Sequence, residues 1–468
     1  MSKGSFSIGR YIGDNRENIK RTLKVAWPAV MESFFVAVVG IIDSMMVSKL
    51  GEYAVAAVGL TTQPKFFGLA LFIATNVAVS ALVARRKGQG QQEDACRIMV
   101  TALIFTVIAG MLVNILFVFL ANPIIRFAGS EADTHEAAVT YFRIIMGCGI
   151  FNLVSLVINA AQRGSGNTKI ALRTNLTSNI VNICFNYLLI NGNLGFPKLG
   201  IKGAAIATIL GTVVACIMSI CSLFGKNSFV SIPFILANRN KTTSVVNSRK
   251  RIFFSTLRQI FKLSSNVFVE QIFLRIGFMS VAVMAAKLGT QAFAAHQVGM
   301  NVMSLSFSFG DGMQVAAVTL IGQSLGQGLP DMAKKYGTLC QRIGNVISIF
   351  LSICYLLLGK WFFSLYFEDE ITVEIGVNIM RIMIFIVLMQ VAQVIYMGCL
   401  RGAGDVRFTT IASIISVTCI RPLTSYLFAY VLGFGIIGVW YGVVCDQMCR
   451  LILTQWRFKS GKWMKIMI

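Results

Sequence analysis

The sequence predicts an all-α integral membrane protein whose twelve transmembrane helices form two six-helix bundles related by a parallel internal repeat. Three observations lead to this fold class. The 468-residue chain is 56% hydrophobic and only 13% charged, with a mean hydropathy of +0.73, whereas soluble domains are about 45–50% apolar and about 25% charged. Apolar stretches long enough to cross a bilayer recur along the chain, and short motifs recur at one fixed offset. The composition excludes a soluble globular enzyme, because so few charged residues cannot cover the surface of two or three soluble domains.

Apolar stretches of transmembrane length run through most of the chain. About 20 consecutive apolar residues cross the hydrocarbon core as a helix, and these stretches lack the period-2 alternation of membrane β-strands. The first stretch is too long for the apolar core of a secretory signal, so we interpret it as the first spanning helix. The predicted spans are residues 25–48, 57–84, 98–121, 137–161, 170–191, 200–224, 262–286, 294–322, 343–367, 376–400, 408–432 and 435–456.

The basic residues predict the orientation of these spans. The formal net charge is +23, which on a soluble chain would suggest nucleic acid, whereas membrane proteins retain Lys and Arg in their cytoplasmic loops. An even number of spans places both termini on one side, and most of the 42 Lys and Arg residues fall on that side. The opposite loops hold only Lys49, Arg126, Lys198, Lys202, Lys287 and Lys360. We therefore predict a multi-pass protein of the cell membrane with cytoplasmic termini, partnered by the lipid bilayer and not by nucleic acid.

The two halves of the chain are copies of one another. Two intramembrane charges, Glu32 and Arg143, recur 238 residues later as Glu270 and Arg381. The motif pairs at the same offset are Lys49-Leu50-Gly51 with Lys287-Leu288-Gly289, Gly88-Gln89-Gly90 with Gly326-Gln327-Gly328, and Arg163-Gly164-Ser165-Gly166 with Arg401-Gly402-Ala403-Gly404. Six spans per half is an even number, so both halves share one orientation, as in transporters with parallel repeats whose substrate cavity lies between the lobes. The predicted divisions are a cytoplasmic N-terminal segment 1–24, an N-lobe 25–224, a cytoplasmic linker 225–261, a C-lobe 262–456 and a cytoplasmic tail 457–468.

These motifs, in this order, resemble the multidrug and toxic compound extrusion (MATE) family over nearly the whole chain. The matching positions are Pro28 and Asp43 in the first span, Leu50-Gly51, Ala56-Ala57-Val58-Gly59, Gly88-Gln89-Gly90, residues 162–169, Ala294-Ala295-His296-Gln297, residues 322–326 and residues 400–405. The resemblance implies a secondary active multidrug efflux transporter. It would exchange organic, often cationic, compounds against H⁺ or Na⁺ by alternating access of its two lobes. We expect it to act as a monomer, without a cofactor and without enzymatic activity.

Asp43 is the candidate residue for coupling to an ion. It lies inside an apolar run from Val38 to Val47. Removal from water favours the protonated form of a carboxylate, so this residue can gain and lose a proton as the cavity alternates. It matches the family's first-span aspartate, and Pro28 marks the point at which that helix can bend. A structural aspartate near the outer end of the helix is the alternative interpretation.

The resemblance adds polar residues of the fifth and sixth spans to this coupling site. Asn182 and Asn186 share one helix face and match the family's fifth-span polar pair, while Thr208 matches its sixth-span threonine. Some members carry a second aspartate where this chain has Asn186, so a Na⁺ ion at Asp43 would lose an anionic ligand. This departure favours H⁺ over Na⁺. Hydrogen bonding between helices explains the same polar residues equally well.

Acidic and amide residues elsewhere complete the candidate set. Glu270 matches the acidic position of the family's seventh span, which in some members binds the coupling cation. Gln390, however, stands where some members carry a tenth-span aspartate, so we place the main coupling site in the N-lobe. Glu32 lies three helical turns from Asp43 on the same face. The residues assigned to the substrate cavity are Glu32, Gln63, Asp311 and Gln390; a hydrated glycine kink also explains Asp311, between Gly310 and Gly312.

Three further side chains receive structural predictions. We expect Asp446 to pair with Arg450 at i,i+4 spacing. We also expect Lys65 to pair with an acid of the N-lobe, and His296 to form a hydrogen bond near a helix start.

Two other functions are alternatives to efflux. A flippase for lipid-linked saccharides, the alternative function, belongs to a related class of transporter and would need several arginines in its cavity to bind phosphates. The candidates for that role are Lys65, Arg143, Arg275, Arg381 and Arg421. A membrane-embedded enzyme would need converging nucleophile, histidine or metal motifs, which the sequence lacks, and the absence of a G-x-x-x-x-G-K-[ST] loop argues against ATP as the energy source.

Overall fold

The chain folds into two helical bundles, one from each half. The computed structural model describes residues 8–48, 50, 52–130, 132–225, 228–234, 246–364, 366–367 and 369–466, and over these residues it contains no β-strand. The first bundle consists of α1 (Ile8–Ser48), α2 (Glu52–Gly88), α3 (Gln92–Phe119), α4 (Ala121–Phe127), α5 (Ala132–Gly147), α6 (Gly149–Gly164), α7 (Thr168–Asn191) and α8 (Ile201–Ser222). The second consists of α9 (Val246–Lys287), α10 (Thr290–Gly326), α11 (Pro330–Ser364), α12 (Glu370–Ala403), α13 (Val406–Ser413), α14 (Arg421–Tyr426) and α15 (Gly435–Lys459). Two π-helical stretches, Ile414–Ile420 and Leu427–Val431, continue the segment formed by α13 and α14.

The helices account for the predicted spans. Within the described residues, nine helices are long and apolar enough to cross a membrane, and α5 with α6, bent by 48°, makes a tenth. The bend falls at Cys148, which is flanked by two glycines. The helices α7 and α10 have spanning length but carry more polar side chains, and they complete twelve segments. The predicted all-α membrane fold is confirmed.

The internal repeat is visible in where the helices begin. The first helical residues of α3 and α7 each recur 238 positions later, at the first residues of α11 and α13. Backbone conformation repeats as well. Pairs of equivalent glycines adopt the same left-handed φ, which a side chain would disfavour. These pairs are Gly90 and Gly328 (72° and 75°), Gly166 and Gly404 (88° and 89°), and Gly200 and Gly435 (56° each). The last pair is 235 residues apart, because one loop of the second half is three residues shorter.

The C-terminal part of the predicted linker 225–261 is helical. Residues 246–261 form the first turns of α9, just as the described part of α1 extends from Ile8, well before its apolar part. Hydropathy reveals only the stretch in contact with lipid, whereas a charged helical extension at the water interface is invisible to it. Residues 228–234 pack on the N-lobe, where Gln92 donates to the Phe229 carbonyl at 2.8 Å and Val230 is buried. Segments 1–7, 235–245 and 467–468 lie outside the described residues.

The two bundles meet at the end where α2 and α10 finish. We call this the basic end, because the last turn of α2 carries Arg85, Arg86 and Lys87. A Cβ atom on Gly88 would lie 2.0 Å from the Gln323 carbonyl oxygen, so only glycine permits this approach. The Gln323 side chain donates to the Gly164 carbonyl of the other bundle at 3.2 Å. The two bundles, which correspond to the predicted N-lobe and C-lobe, are therefore closed against each other at the basic end.

The interior of the C-lobe contains a buried charge cluster. Asp446 accepts hydrogen bonds from Arg421 and, at 2.7 Å and 3.0 Å, from Arg450. The predicted Asp446–Arg450 pair is thus confirmed, with a second arginine that the spacing did not reveal. His296 packs 5.5 Å from Trp440, ring centre to ring centre, and its Nδ1 has no hydrogen-bond partner in the described part of the chain. A hydrogen bond from its other ring nitrogen stays a prediction.

Replacement of Gly88 by alanine is expected to hold the lobes apart at the basic end, because the added methyl group would overlap the Gln323 backbone. Gly59→Ala is the matched control in the same helix, since a Cβ atom there meets nothing within 4 Å. Spin labels on exposed Gln91 and Lys334, one in each lobe, would report the separation. The distance should lengthen in Gly88→Ala and stay unchanged in Gly59→Ala. An unchanged distance in both variants would contradict the proposed contact.

Candidate functional site

Asp43 lies in a hydrogen-bond network built by three helices of the N-lobe. Its half-buried carboxylate, on α1, accepts a hydrogen bond from the amide of Asn186 on α7. In the amide orientation that satisfies all its neighbours, Asn182 donates to Asp43 at 3.1 Å and accepts from Thr208 of α8 at 3.2 Å. The structure therefore brings together the four N-lobe residues that the sequence suggested for ion coupling.

Two more side chains complete what we call the Asp43 site. Lys65, on α2, interacts electrostatically with Asp43, although the two form no ion pair within 4 Å among the described residues. Their pairing stays a prediction. Tyr141, on α5, is buried, hydrogen-bonds with Thr208 and also interacts electrostatically with Asp43. Tyr141 is not predictable from the sequence, because a single tyrosine in an apolar helix belongs to no recognisable motif. Its neighbours follow only from the packing of α5 against α8.

The described residues of the Asp43 site include a single carboxylate. Asp43 accepts hydrogen bonds from amide donors and interacts electrostatically with Lys65. Hard cations such as Ca²⁺ and Mg²⁺ need several oxygen ligands with little positive charge nearby. Among the described residues, no group of three or more His, Cys, Asp or Glu side chains could hold a metal ion.

The two intramembrane glutamates lie in equivalent ion pairs. Glu32 accepts from Arg163 at 2.8 Å and from Asn175 at 2.6 Å. The equivalent residues 238 positions later form the same arrangement: Glu270 accepts from Arg401 at 2.8 Å and from Ser413 at 2.6 Å. Both glutamates are buried. Neither is a free cavity carboxylate, so the assignments of Glu32 to the substrate cavity and of Glu270 to coupling remain predictions.

The arginine partners could have been found from the sequence. Arg163 and Arg401 belong to the repeated Arg-Gly-x-Gly motif, and they share the offset of the two glutamates. Arg275, five residues after Glu270 on the same helix, lies with its guanidinium 4.3 Å from the ring centre of Phe66 in the other lobe. Repeat-symmetric positions were thus a better guide to pairing than distance along the helix.

Asp311 lies between the two ion pairs, where the lobes touch. Its carboxylate accepts a hydrogen bond from Ser33 of α1 at 3.4 Å and interacts electrostatically with Arg163 and Arg401. Phe34 follows Ser33 on α1, and the centre of its ring lies 5.5 Å from that of Phe309. Unlike the two glutamates, Asp311 forms no ion pair within 4 Å in the described part of the chain.

A polar stripe on α10 marks a cleft between the lobes. Gln297, Asn301 and Ser304 are exposed and lie on the same side of α10 as Asp311. Polar side chains within a spanning helix are costly in lipid and usually face a bundle interior or a water-filled cavity. We therefore interpret the stripe as one wall of a cleft between the lobes, with its floor at Asp311 and its opening away from the basic end. Gln63 of α2 is also exposed.

The remaining predicted positions are not part of this cleft floor. Gln390 is buried within the C-lobe, and its side-chain oxygen has no hydrogen-bond partner among the described residues. Pro28 lies inside α1, which continues through it as one helix. A role for Pro28 in bending remains a prediction.

Comparison with known proteins identifies similar chains. The MatE family model matches residues 28–188 and 267–427, once in each half. A probable multidrug resistance protein NorM of Thermotoga maritima is 24% identical over 450 residues, covering 95% of this chain and 93% of the relative. The NorM protein of Photorhabdus laumondii is 27% identical over 460 residues, with coverage of 94% and 95%.

Solved structures show the same fold. An outward-facing multidrug resistance MATE family transporter superposes with a TM-score of 0.85 at 22% identity, covering 95% of this chain and 97% of that one. A transporter of the MOP superfamily from Pyrococcus furiosus gives a TM-score of 0.85 at 21% identity, with coverage of 96% and 97%.

Removal of either repeat-symmetric arginine is expected to destabilise the protein, because it leaves a buried glutamate without its partner. Loss of one member of a buried ion pair costs about 3–5 kcal/mol. Arg401→Ala should lower the thermal unfolding midpoint more than Arg163→Ala, since Glu270 is 1% exposed and Glu32 is 7% exposed. Arg97→Ala, which removes an exposed pair with Glu93, is the control and should cost at most about 1 kcal/mol. Equal midpoints for all three variants would refute a stabilising role for the buried pairs.

Proposed function

Because this chain belongs to the MatE family, a family of membrane transporters and not of enzymes, we propose that it is a secondary active multidrug efflux transporter. In this proposal it exchanges organic, often cationic, compounds against H⁺, with Asp43 as the residue that carries the proton. The relatives named as multidrug resistance proteins support the efflux function.

The single observation that carries the choice of ion is the surroundings of Asp43. Lys65 interacts electrostatically with the carboxylate, and its positive charge would repel a Na⁺ ion bound there. Protonation needs no coordination shell, and the amide donors Asn182 and Asn186 hold the ionised carboxylate in place between protonation events. A cavity that opens alternately to each side would then let Asp43 take up a proton on one side and release it on the other.

The direction of transport follows from the distribution of charge. Lys and Arg residues concentrate in cytoplasmic loops of membrane proteins, so in this proposal the basic end and both termini face the cytoplasm. The cleft then opens to the outside, as in the outward-facing relative. Access from the cytoplasm requires the contact of Gly88 with Gln323 to separate.

The cleft floor supports a cationic substrate. A carboxylate beside aromatic faces is a chemistry that binds organic cations, and Asp311 with Phe34 and Phe309 provides it where the two lobes meet. Because no arginine neutralises Asp311 within 4 Å in the described residues, its charge is available to a ligand.

The flippase alternative receives less support from the same residues. Its phosphate-binding arginines would have to be free in the cavity. Arg421 is instead bound to Asp446 inside the C-lobe, and Arg275 stacks on Phe66. Arg381 is exposed and donates to Asn378 on its own helix.

Asp43→Asn is expected to abolish efflux, because the amide keeps the hydrogen bonds but cannot carry a proton. Purified protein in vesicles, with ethidium as the substrate and either a pH or a Na⁺ gradient imposed, measures both the substitution and the ion. The unaltered chain should respond to the pH gradient only, and Asp43→Asn should lose more than tenfold of that rate, a factor of ten being about 1.4 kcal/mol. Asp94→Asn, an exposed aspartate paired with Arg97, is the matched control and should keep the rate.

Two results would overturn this mechanism. One is undiminished efflux by Asp43→Asn. The other is efflux driven by Na⁺ at constant pH, which would leave Asp43 as a Na⁺ ligand instead of a proton carrier.

A further inference from the structure

The N-lobe holds a cavity at the basic end, outside the Asp43 site and the cleft floor. We propose that this cavity, which we call the lysine pocket, binds a phosphate group. It is lined by Lys24 of α1, Lys87 of α2, residues 165–169 around the start of α7, and Phe229. Its volume is about 250 Å³, and since a water molecule takes up about 30 Å³ in the liquid, a phosphate group fits.

The charge of the lysine pocket is uncompensated. Lys24, Lys87 and Lys169 form no ion pair among the residues that the structure describes. Lys87 is half-buried, with its ammonium nitrogen 3.9 Å from the centre of the Phe229 ring. Three like charges that converge on one cavity repel each other, and a bound anion would remove that repulsion.

The internal repeat provides a built-in comparison. The C-lobe has a cavity at the equivalent place, in which Lys262 and Arg407 stand where the N-lobe has Lys24 and Lys169. Two related basic cavities therefore lie at the basic end, one in each lobe.

The two cavities differ in one decisive residue. Asp405 lines the C-lobe cavity, is 6% exposed, and accepts a hydrogen bond from Arg457 at 2.6 Å. Its equivalent in the lysine pocket is the neutral Asn167, whose side chain makes no capping hydrogen bond to α7. The lysine pocket also has Lys87 where the C-lobe has Leu325. The C-lobe cavity thus contains a carboxylate, paired with Arg457, whereas the lysine pocket lacks that carboxylate and gains a cation.

The ligand that fits this chemistry is a phosphate mono- or diester. Lysines bind phosphate as point charges, and the pocket lies at the end of the spanning helices, at the level of lipid headgroups. An anionic phospholipid headgroup and dissolved phosphate are two sources of the same group. Each lysine near an anionic membrane surface strengthens binding about fivefold.

The test uses the full chain in phosphatidylcholine nanodiscs and records the thermal unfolding midpoint. Phosphatidylglycerol in the discs is one arm, and inorganic phosphate added to phosphatidylcholine discs is the other. The midpoint should rise in the first arm if a headgroup is the source and in both arms if dissolved phosphate suffices, because a ligand that binds only the folded state stabilises it. Substitution of Lys24, Lys87 or Lys169 by glutamine should each raise the ligand concentration for half the effect about fivefold.

Asn167→Asp is the sharpest variant, because it installs the carboxylate that the C-lobe already has. It should remain folded, with a midpoint at least that of the unliganded parent, and lose the response to both ligands. Lys262→Gln, the equivalent change in the C-lobe cavity, should keep the response. No rise in either arm, or an equal rise in Asn167→Asp, would overturn the proposal. These outcomes are independent of transport activity.

Discussion

Charge is costly inside a bilayer, and this constraint determines which parts of the protein are rigid. Glu32, Glu270 and Asp446 are buried, and each is neutralised by an arginine. Every one of these pairs joins helices of the same lobe or positions on the same helix, so the strongest interactions hold each lobe together. Between the lobes, at the basic end, glycines lie against backbone carbonyls, the Gln323 amide donates to Gly164, and the Arg21 guanidinium donates to the uncharged side chains of Gln323 and Tyr336. Among the described residues no ion pair joins the two lobes, so these contacts can separate without breaking a buried ion pair.

The two lobes share a scaffold but use it differently. Asp43 of the N-lobe corresponds at the repeat offset to Val281, which is buried in the C-lobe core. The C-lobe instead holds Arg421 and Asp446, which bind each other deep in the bundle. The N-lobe therefore contains a half-buried carboxylate with hydrogen-bond donors around it, and the C-lobe contains a closed charge cluster. Duplication preserved the ion pairs that support folding, whereas the polar interior diverged.

Much of the fold could be predicted from sequence, because spanning length, the bias of basic residues and a fixed repeat offset are properties of the linear chain. The extension of α9 back to Val246 could not, since hydropathy does not distinguish a polar helix from a polar linker. Within the site, Asn182, Asn186 and Asp43 were predictable from residue type and family pattern. Tyr141 was not, because its proximity to Thr208 depends on how α5 packs against α8. Arg163 and Arg401 are an intermediate case. The repeat offset links them to the two glutamates, whereas spacing along a single helix does not.

The contact at the basic end has the geometry of a symmetric dimer. Gly88 meets the carbonyl of Gln323, while Gly326 meets the carbonyl of Arg85. The two glycines are equivalent by the repeat, and so are Arg85 and Gln323. Residue i of one lobe thus touches residue j of the other, and j touches i, which defines an isologous interface. The closed end of this single chain is in effect a homodimer interface whose two protomers have been fused. Each half therefore retains a self-complementary surface that binds its own copy. A substitution at one of the two glycines breaks the two-fold symmetry of this interface.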